Sequence, residues 1–216
     1  MKYTGRIYTV IVALVAIVIM RVYGTLYYNF PAWKFPFLGL IVIIVYWWLG
    51  KKYDQVKLLS EKDVLTKVYN RRYVTRTFPK LSVLMDKKEE KLSLFLIDVD
   101  DFKRINDTYG HKLGDTVLQQ LAIILSRNTG KRDIVARWSG DEFLIIAPFT
   151  NEIGKEIIIT HINNELHKFS DELNIHISVS IGTAQYPNDA KSLDGLLVIA
   201  DEDMYKLKFQ KKTNLS

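Results

Sequence analysis

Two regimes of hydrophobic patterning divide the chain near residue 62. Residues 7–20 are apolar apart from Tyr8 and Thr9, and the apolar stretch resumes past Arg21 to residue 28. A second stretch covers residues 35–49 and ends in Tyr46, Trp47 and Trp48. A membrane span needs about 20 residues, and each uninterrupted run is shorter. Arg21 can snorkel, and Tyr27, Tyr28, Trp33, Trp47 and Trp48 suit the interfacial belts. The pattern therefore predicts a two-helix transmembrane hairpin, with residues 29–34 around Pro31 as the turn. A buried hairpin of a soluble protein gives the same pattern. A cleaved signal peptide is a second rival, but no small-residue cleavage site follows Met20. Residues 51–62 lack Gly and Pro and can extend the second helix as a linker. Tyr53, Val56 and Leu59 give it a narrow apolar stripe, suited to a short coiled coil or a stiff spacer.

From residue 63 onward, short apolar runs alternate with polar ones. Residues 63–66 read as a turn, and Asn70 as the N-cap of a helix over 71–77. Pro79 interrupts that helix or starts another segment through residue 88. Residues 92–98 form an apolar strand ending in an acid. Apolar positions 117, 118, 121, 124 and 125 predict a helix over 115–127. Strands over 133–138 and 143–148 flank a turn of hairpin composition at 139–142. A helix over 151–169, a strand over 175–186 and a closing helix over 192–211 follow. After the first helix the order is β-α-β-β-α-β-α. It predicts an α+β domain of the ferredoxin-like, palm-type βαββαβ class, its antiparallel sheet covered by helices on one face. The domain organisation is thus an anchor over 1–50, a helical linker over 51–62 and a folded domain over 63–216.

Charge changes the picture only in the first part. The chain carries 30 Lys/Arg and 24 Asp/Glu, a net +6. Residues 1–62 hold eight of the basic residues against Asp54 and Glu61, leaving 22 of each sign in 63–216. The excess flanks the apolar stretches, where it sets orientation, so nucleic acid is not expected as the partner. Lys2 and Arg6 before the first stretch, and Lys51, Lys52 and Lys57 after the second, outnumber Lys34 in the turn. Both ends then lie in the cytoplasm, with the lipid bilayer as partner and a cytoplasmic-membrane location. With no cysteine, disulfides, thiolate metal sites and cysteine nucleophiles are excluded.

The predicted topology makes the first strand and the hairpin neighbours, which brings Asp98 to the same edge as Asp141 and Glu142. Like charges this close call for a cation or a proton. Oxygen-only ligands favour Mg²⁺ or Mn²⁺, and two ions about 3.5–4 Å apart serve in-line nucleotidyl transfer. Three solvated turn acids are the plain alternative.

Longer motifs are more specific. Residues 137–143 read Arg-Trp-Ser-Gly-Asp-Glu-Phe and resemble the GGDEF signature of diguanylate cyclases, with Ser139 in place of its first glycine. Residues 63–72 resemble that family's D-x-L-T-x-x-x-N-R-R motif. Residues 98–115 resemble its D-x-D-x-F-K-x-x-N-D…G-H-x-x-G-D block, and 179–183 and 200–208 its later segments. The five together span 63–216.

The resemblance implies a membrane-anchored enzyme that condenses two GTP into cyclic di-GMP and two pyrophosphates. Asp98 and Asp141 would ligate two Mg²⁺ or Mn²⁺ ions, with the Val99 carbonyl assisting. Glu142 would bind metal or help deprotonate the ribose 3′-hydroxyl. Asn106 and Asp115 would bind the guanine edge, Asp115 as an acceptor matching guanine's donors. The backbone of Asp101, Phe102 and Lys103 would meet the phosphates, joined by Lys208. One domain holds one GTP, so catalysis would need a homodimer, and the anchor would favour pairing. A non-catalytic relay that binds GTP or cyclic di-GMP and a membrane partner protein is the alternative, as is a cyclase making cyclic GMP–AMP.

Three departures stand out. Ser139 adds a Cβ in the signature turn. Lys212 stands where the family has an arginine, and loses bidentate phosphate geometry. The family's R-x-x-D product site, five residues before the signature, reads Gly-Lys-Arg-Asp over 130–133. With no guanidinium at Gly130, little product inhibition is expected there.

Overall fold

The computed structural model describes residues 4–28 and 36–214, which fall in two compact units, residues 1–60 and 61–216. The first unit holds α1 (Thr4–Tyr28) and the greater part of α2 (Pro36–Glu61). The two helices touch where Gly50 lies over Arg6 and Thr9; a Cβ on Gly50 would sit 2.4 Å from the Thr9 hydroxyl. Arg6 Nε lies 3.5 Å from Asp54 Oδ2, and its guanidinium lies over the Trp47 ring. Ile7, Ile11, Val15, Val18 and Val22 of α1 are exposed. Among the described residues one helix, Arg6–Tyr27, is long and apolar enough to cross a membrane. The turn expected at 29–34 lies outside the described residues. The linker expected over 51–62 continues α2 without a break, and Tyr53 and Val56 on it are exposed.

The second unit runs β1 (Tyr69–Asn70), α3 (Arg71–Lys88), β2 (Leu92–Val99), α4 (Phe102–Tyr109), α5 (His111–Arg127), β3 (Ile134–Ser139), β4 (Glu142–Pro148), α6 (Glu152–Leu173), β5 (Val179–Tyr186) and α7 (Leu193–Asn214). The sheet order is β1-β3-β4-β2-β5. Only β1 is parallel to its neighbour; the other pairs are antiparallel. Asn70 caps α3 by accepting from Tyr73 N at 3.1 Å, and Asn151 caps α6 by accepting from Gly154 N at 2.9 Å. Pro79 does not interrupt α3, which runs unbroken past it.

Helices cover both faces of the sheet, not one, and two cores result. Phe95, Ile97 and Val99 of β2 pack with Val117 and Leu121 of α5 and Ile162 and Leu166 of α6. Leu92, Leu94 and Leu96, of the opposite parity, pack with Phe78 and Met85 of α3 and Leu196 and Met204 of α7. This is why β2 carries a continuous apolar run over residues 94–97 rather than a strict alternation. Truncating such a side chain to alanine costs about 2–5 kcal/mol. α7 lies so close to β5 that a Cβ on Gly182 would come within 1.9 Å of the Ala200 carbonyl oxygen.

One further boundary moved and one helix was added. The strand expected from residue 175 begins only at Val179. The Ser170 hydroxyl donates to the Ile175 carbonyl and accepts from Ile177 N, so this backbone is held by α6 instead of the sheet. α4 is an additional helix; its Phe102 and Ile105 at three-residue spacing anchor it on the first core.

Candidate functional site

Register builds the acidic corner. Asp98 on β2 stands directly opposite Glu142 on β4. Both share the parity of Leu96 and Leu144, the face that α7 covers. Asp141 occupies the two-residue turn between β3 and β4 with Gly140, whose φ is 24°. Ser139 lies outside the left-handed region, at a bulge opposite Glu142. Its extra Cβ therefore imposes no backbone strain.

Lys208 reaches down from α7 to place Nζ 2.7 Å from Asp98 Oδ1. Burial pushes the Asp98 carboxyl above the usual carboxylate range. Lys208 opposes this, while the charges of Asp141 and Glu142 reinforce it. Among the described residues no three carboxylates, imidazoles or thiols converge tightly enough to hold an ion. The expected three-acid cluster is thus only a cross-strand pair with Asp141 beside it, and the cation on Asp98 is an ammonium. The donor set nevertheless fits a divalent cation: hard oxygens, mutual repulsion, and a partly buried carboxylate already bound to positive charge. Val99 ends β2 with its side chain in the core.

The loop from β2 to α4 is fixed by Asp100. Its carboxylate accepts from the Ser178 hydroxyl at 2.7 Å and the Ser180 hydroxyl at 2.6 Å. Asp101 then takes a left-handed φ of 51° and α4 begins. Free N–H groups at a helix start suit phosphate oxygens. Phe102 is half-buried against the core, while Lys103 is exposed.

α4 and α5 meet at Gly114. A Cβ there would lie 2.0 Å from Asn106 Oδ1 and 3.2 Å from the Phe102 ring. Gly114 therefore fixes where Asn106, half-buried, can sit, and exposed Asp115 follows it on α5. Asp98, Asp141, Glu142 and Lys208 thus lie together at one sheet end. Asn106, Phe102 and Asp115 belong to the adjoining helix pair. The side chain of Lys212, on α7, lies outside the described residues.

A second network supports the turn. Asp63 Oδ1 accepts from Thr66 N at 2.8 Å and from its hydroxyl at 2.7 Å, closing the expected turn. Arg137 joins Asp63 at 3.2 Å and donates Nε–H to the Gly140 carbonyl at 2.8 Å. Burial raises the Asp63 carboxyl, but the Thr66 bonds and Arg137 outweigh it and hold the group low. Asp133 accepts from Gly130 N at 2.7 Å within its own turn. Trp138 packs on the second core, with Arg71 over its ring at 4.6 Å. The four histidines are exposed.

Sequence reasoning assigned no role to Gly114, Asp100 or Arg137. For Gly114 a signal existed: a glycine three residues into a helix asks for close packing. Asp100 had none, since its serine partners are 78 and 80 residues away.

Residues 60–214 match the family model described as "Diguanylate cyclase, GGDEF domain". Response regulator PleD of Caulobacter vibrioides is 32% identical over 166 residues, covering 74% of this chain and 37% of PleD. Diguanylate cyclase DosC of Escherichia coli is 35% identical over 147 residues, covering 66% of this chain and 32% of DosC. The chain thus spans about a third of the length of these relatives. Among solved structures, the GGDEF domain of YfiN (TpbB) from Pseudomonas aeruginosa is 33% identical, with a TM-score of 0.64 over 69% of this chain and 89% of that one. The coiled coil and GGDEF domain of DgcB from Caulobacter crescentus, in complex with c-di-GMP, is 25% identical, with a TM-score of 0.68 over 75% of this chain and 87% of that one. The shared architecture is a palm-like α+β fold with a mixed five-stranded sheet.

Proposed function

Because the chain belongs to the GGDEF-domain diguanylate cyclase family, we propose that it is an active cyclase. It converts two GTP into cyclic di-GMP and two pyrophosphates, as a homodimer held at the cytoplasmic membrane. The observation that carries this reading is the register that sets Asp98 against Glu142, with Asp141 in the adjoining turn.

Divalent ions, Mg²⁺ or Mn²⁺, would be held by Asp98, Asp141, Glu142 and the Val99 carbonyl and would stabilise negative charge on the reacting phosphates. Asn106 and Asp115 orient guanine through its edge, with Asp115 accepting from the ring N–H and amino donors. The N–H groups at the start of α4, from Phe102 and Lys103, receive terminal phosphate oxygens. Lys208 leaves Asp98 for the triphosphate, and Lys212 adds charge nearby. Glu142 takes the proton of the 3′-hydroxyl. That oxygen then bonds to the α-phosphorus of the nucleotide on the facing copy, and the α–β bridging bond breaks to release pyrophosphate. The same step in the other direction closes the ring, so one domain cannot complete it alone.

Both apolar helices serve as spans in this reading, with the ends cytoplasmic. The exposed apolar face of α1 supports it, and a membrane partner protein is a candidate source of signal. Feedback through the R-x-x-D position is absent: Asp133 is turned onto Gly130 N–H, and Gly130 offers no side chain. Titrating cyclic di-GMP against initial rate checks this; inhibition abolished by Asp133→Ala would contradict it.

The deciding experiment is product analysis of the full chain with GTP and Mg²⁺. Wild type should yield cyclic di-GMP, and Asp141→Ala and Glu142→Ala should each lose about 100-fold or more. A wild type that binds GTP at high protein concentration yet forms no cyclic product would overturn the reading.

A further inference from the structure

On the α3 side of the signature turn lies a cleft of about 740 Å³. Its walls carry four guanidinium groups, Arg71, Arg72, Arg76 and Arg137, against the single carboxylate of Asp63. Two are engaged: Arg137 with Asp63, and Arg76 with Glu61. Arg71 lies over the Trp138 ring, its Cζ 4.6 Å from the ring centre. Arg72 is exposed and, among the described residues, has no carboxylate partner. Positive charge gathered in a concave surface and left unneutralised selects an anion. Planar guanidinium forks fit phosphate oxygens in pairs, and a cation beside an aromatic ring suits a nucleotide's phosphate and base together.

Position narrows the ligand further. The cleft includes Ser139 and Gly140, the residues just before Asp141 and Glu142, yet none of Asp98, Asn106, Asp115 or Lys208 lines it. It is a separate site sharing one turn with the acidic corner. Each ring closure needs two nucleotides, and in the cyclase reading Asn106 and Asp115 on α4 and α5 account for one per domain. We propose that the arginine cleft binds the phosphate of a second guanine nucleotide. Arg71 and Arg72 grip it, while Arg137 is kept by Asp63 to hold the turn. The nucleotide is either the GTP carried by a facing copy or released cyclic di-GMP. This rests on the cyclase reading for the identity of the nucleotide, but the cleft's affinity can be tested without turnover.

The experiment uses the full chain in detergent micelles, with a non-hydrolysable GTP analogue and cyclic di-GMP as probes. Asn106→Ala supplies a background in which the proposed guanine contact on α4 is weakened. Arg72→Glu and Arg71→Ala are added separately, each checked for an unchanged melting temperature; Arg72, being exposed, keeps the test open should Arg71→Ala unfold. In the Asn106→Ala background at least one probe should still bind, and each arginine variant should weaken it about tenfold or more. Weakening of cyclic di-GMP alone assigns the cleft to released product. Weakening of the GTP analogue, with a fall in kcat in the otherwise wild-type chain, assigns it to the facing copy's substrate. Unchanged affinity for both probes overturns the proposal. So does an arginine dependence seen only with phosphatidylglycerol vesicles, which would make the cleft a lipid-headgroup site. If wild type forms no cyclic product, the cyclase reading fails while the binding comparison still decides the cleft.

Discussion

Two carboxylates of the site are shifted in opposite directions, and each sets a prediction. Asp63 is held low despite partial burial, by Thr66 and Arg137. A carboxylate with a depressed folded pKa adds stability above its unfolded pKa and loses it as pH falls through the folded one. Asp63→Asn should therefore melt below wild type at pH 7, with the gap closing in acid; equal melting curves at pH 7 would refute it. Asp98 is shifted upward, by burial first and then by its acidic neighbours against Lys208. The ionised form costs folding stability as pH rises through that raised value. Without divalent ions, Asp98→Asn should melt no lower than wild type at pH 7. Mg²⁺ should raise the wild-type melting temperature but not the variant's, which differential scanning calorimetry reads directly. Asp98, Asp141 and Glu142 were legible as acids near a strand end. The ammonium on Asp98 was not, because Lys208 lies 110 residues away on an element whose packing face only the folded sheet reveals.

At the scale of elements, glycines mark where backbones must approach. Gly114→Ala should drive its new methyl into Asn106 at the α4–α5 crossing. Overpacking of this kind costs about 1–3 kcal/mol. The variant should also lose GTP affinity out of proportion to its lost stability, since the displaced group is the one proposed to meet guanine. Isothermal titration beside a melting curve separates the two effects; a destabilised variant with wild-type affinity would show that Asn106 moves freely. The strands and long helices were readable from periodicity. Those misread had a tertiary cause. Pro79 sits inside α3 although proline disfavours helix interiors, because Phe78 and Met85 on either side of it pack into the second core. Residues 175–178 have strand composition, but Ser170 takes their backbone. Helices on both faces were hinted at by the apolar run over residues 94–97 of β2, where a one-sided sheet would alternate apolar with polar positions.

At the scale of the whole molecule, the proposed catalysis across two copies would make local concentration decisive. Removing residues 1–60 should leave one GTP bound per chain while specific activity at nanomolar protein falls at least about tenfold. Raising protein concentration or fusing a dimeric coiled coil should restore it, and full activity of the dilute truncated domain would refute a role for the first unit in pairing. Lys208 on Asp98 has a further consequence. Arrival of a divalent ion there is an exchange of one cation for another, not the filling of a vacant socket. The displaced ammonium becomes available to nucleotide at that same moment, so ion and triphosphate should assist each other's binding, and Lys208→Met should uncouple them.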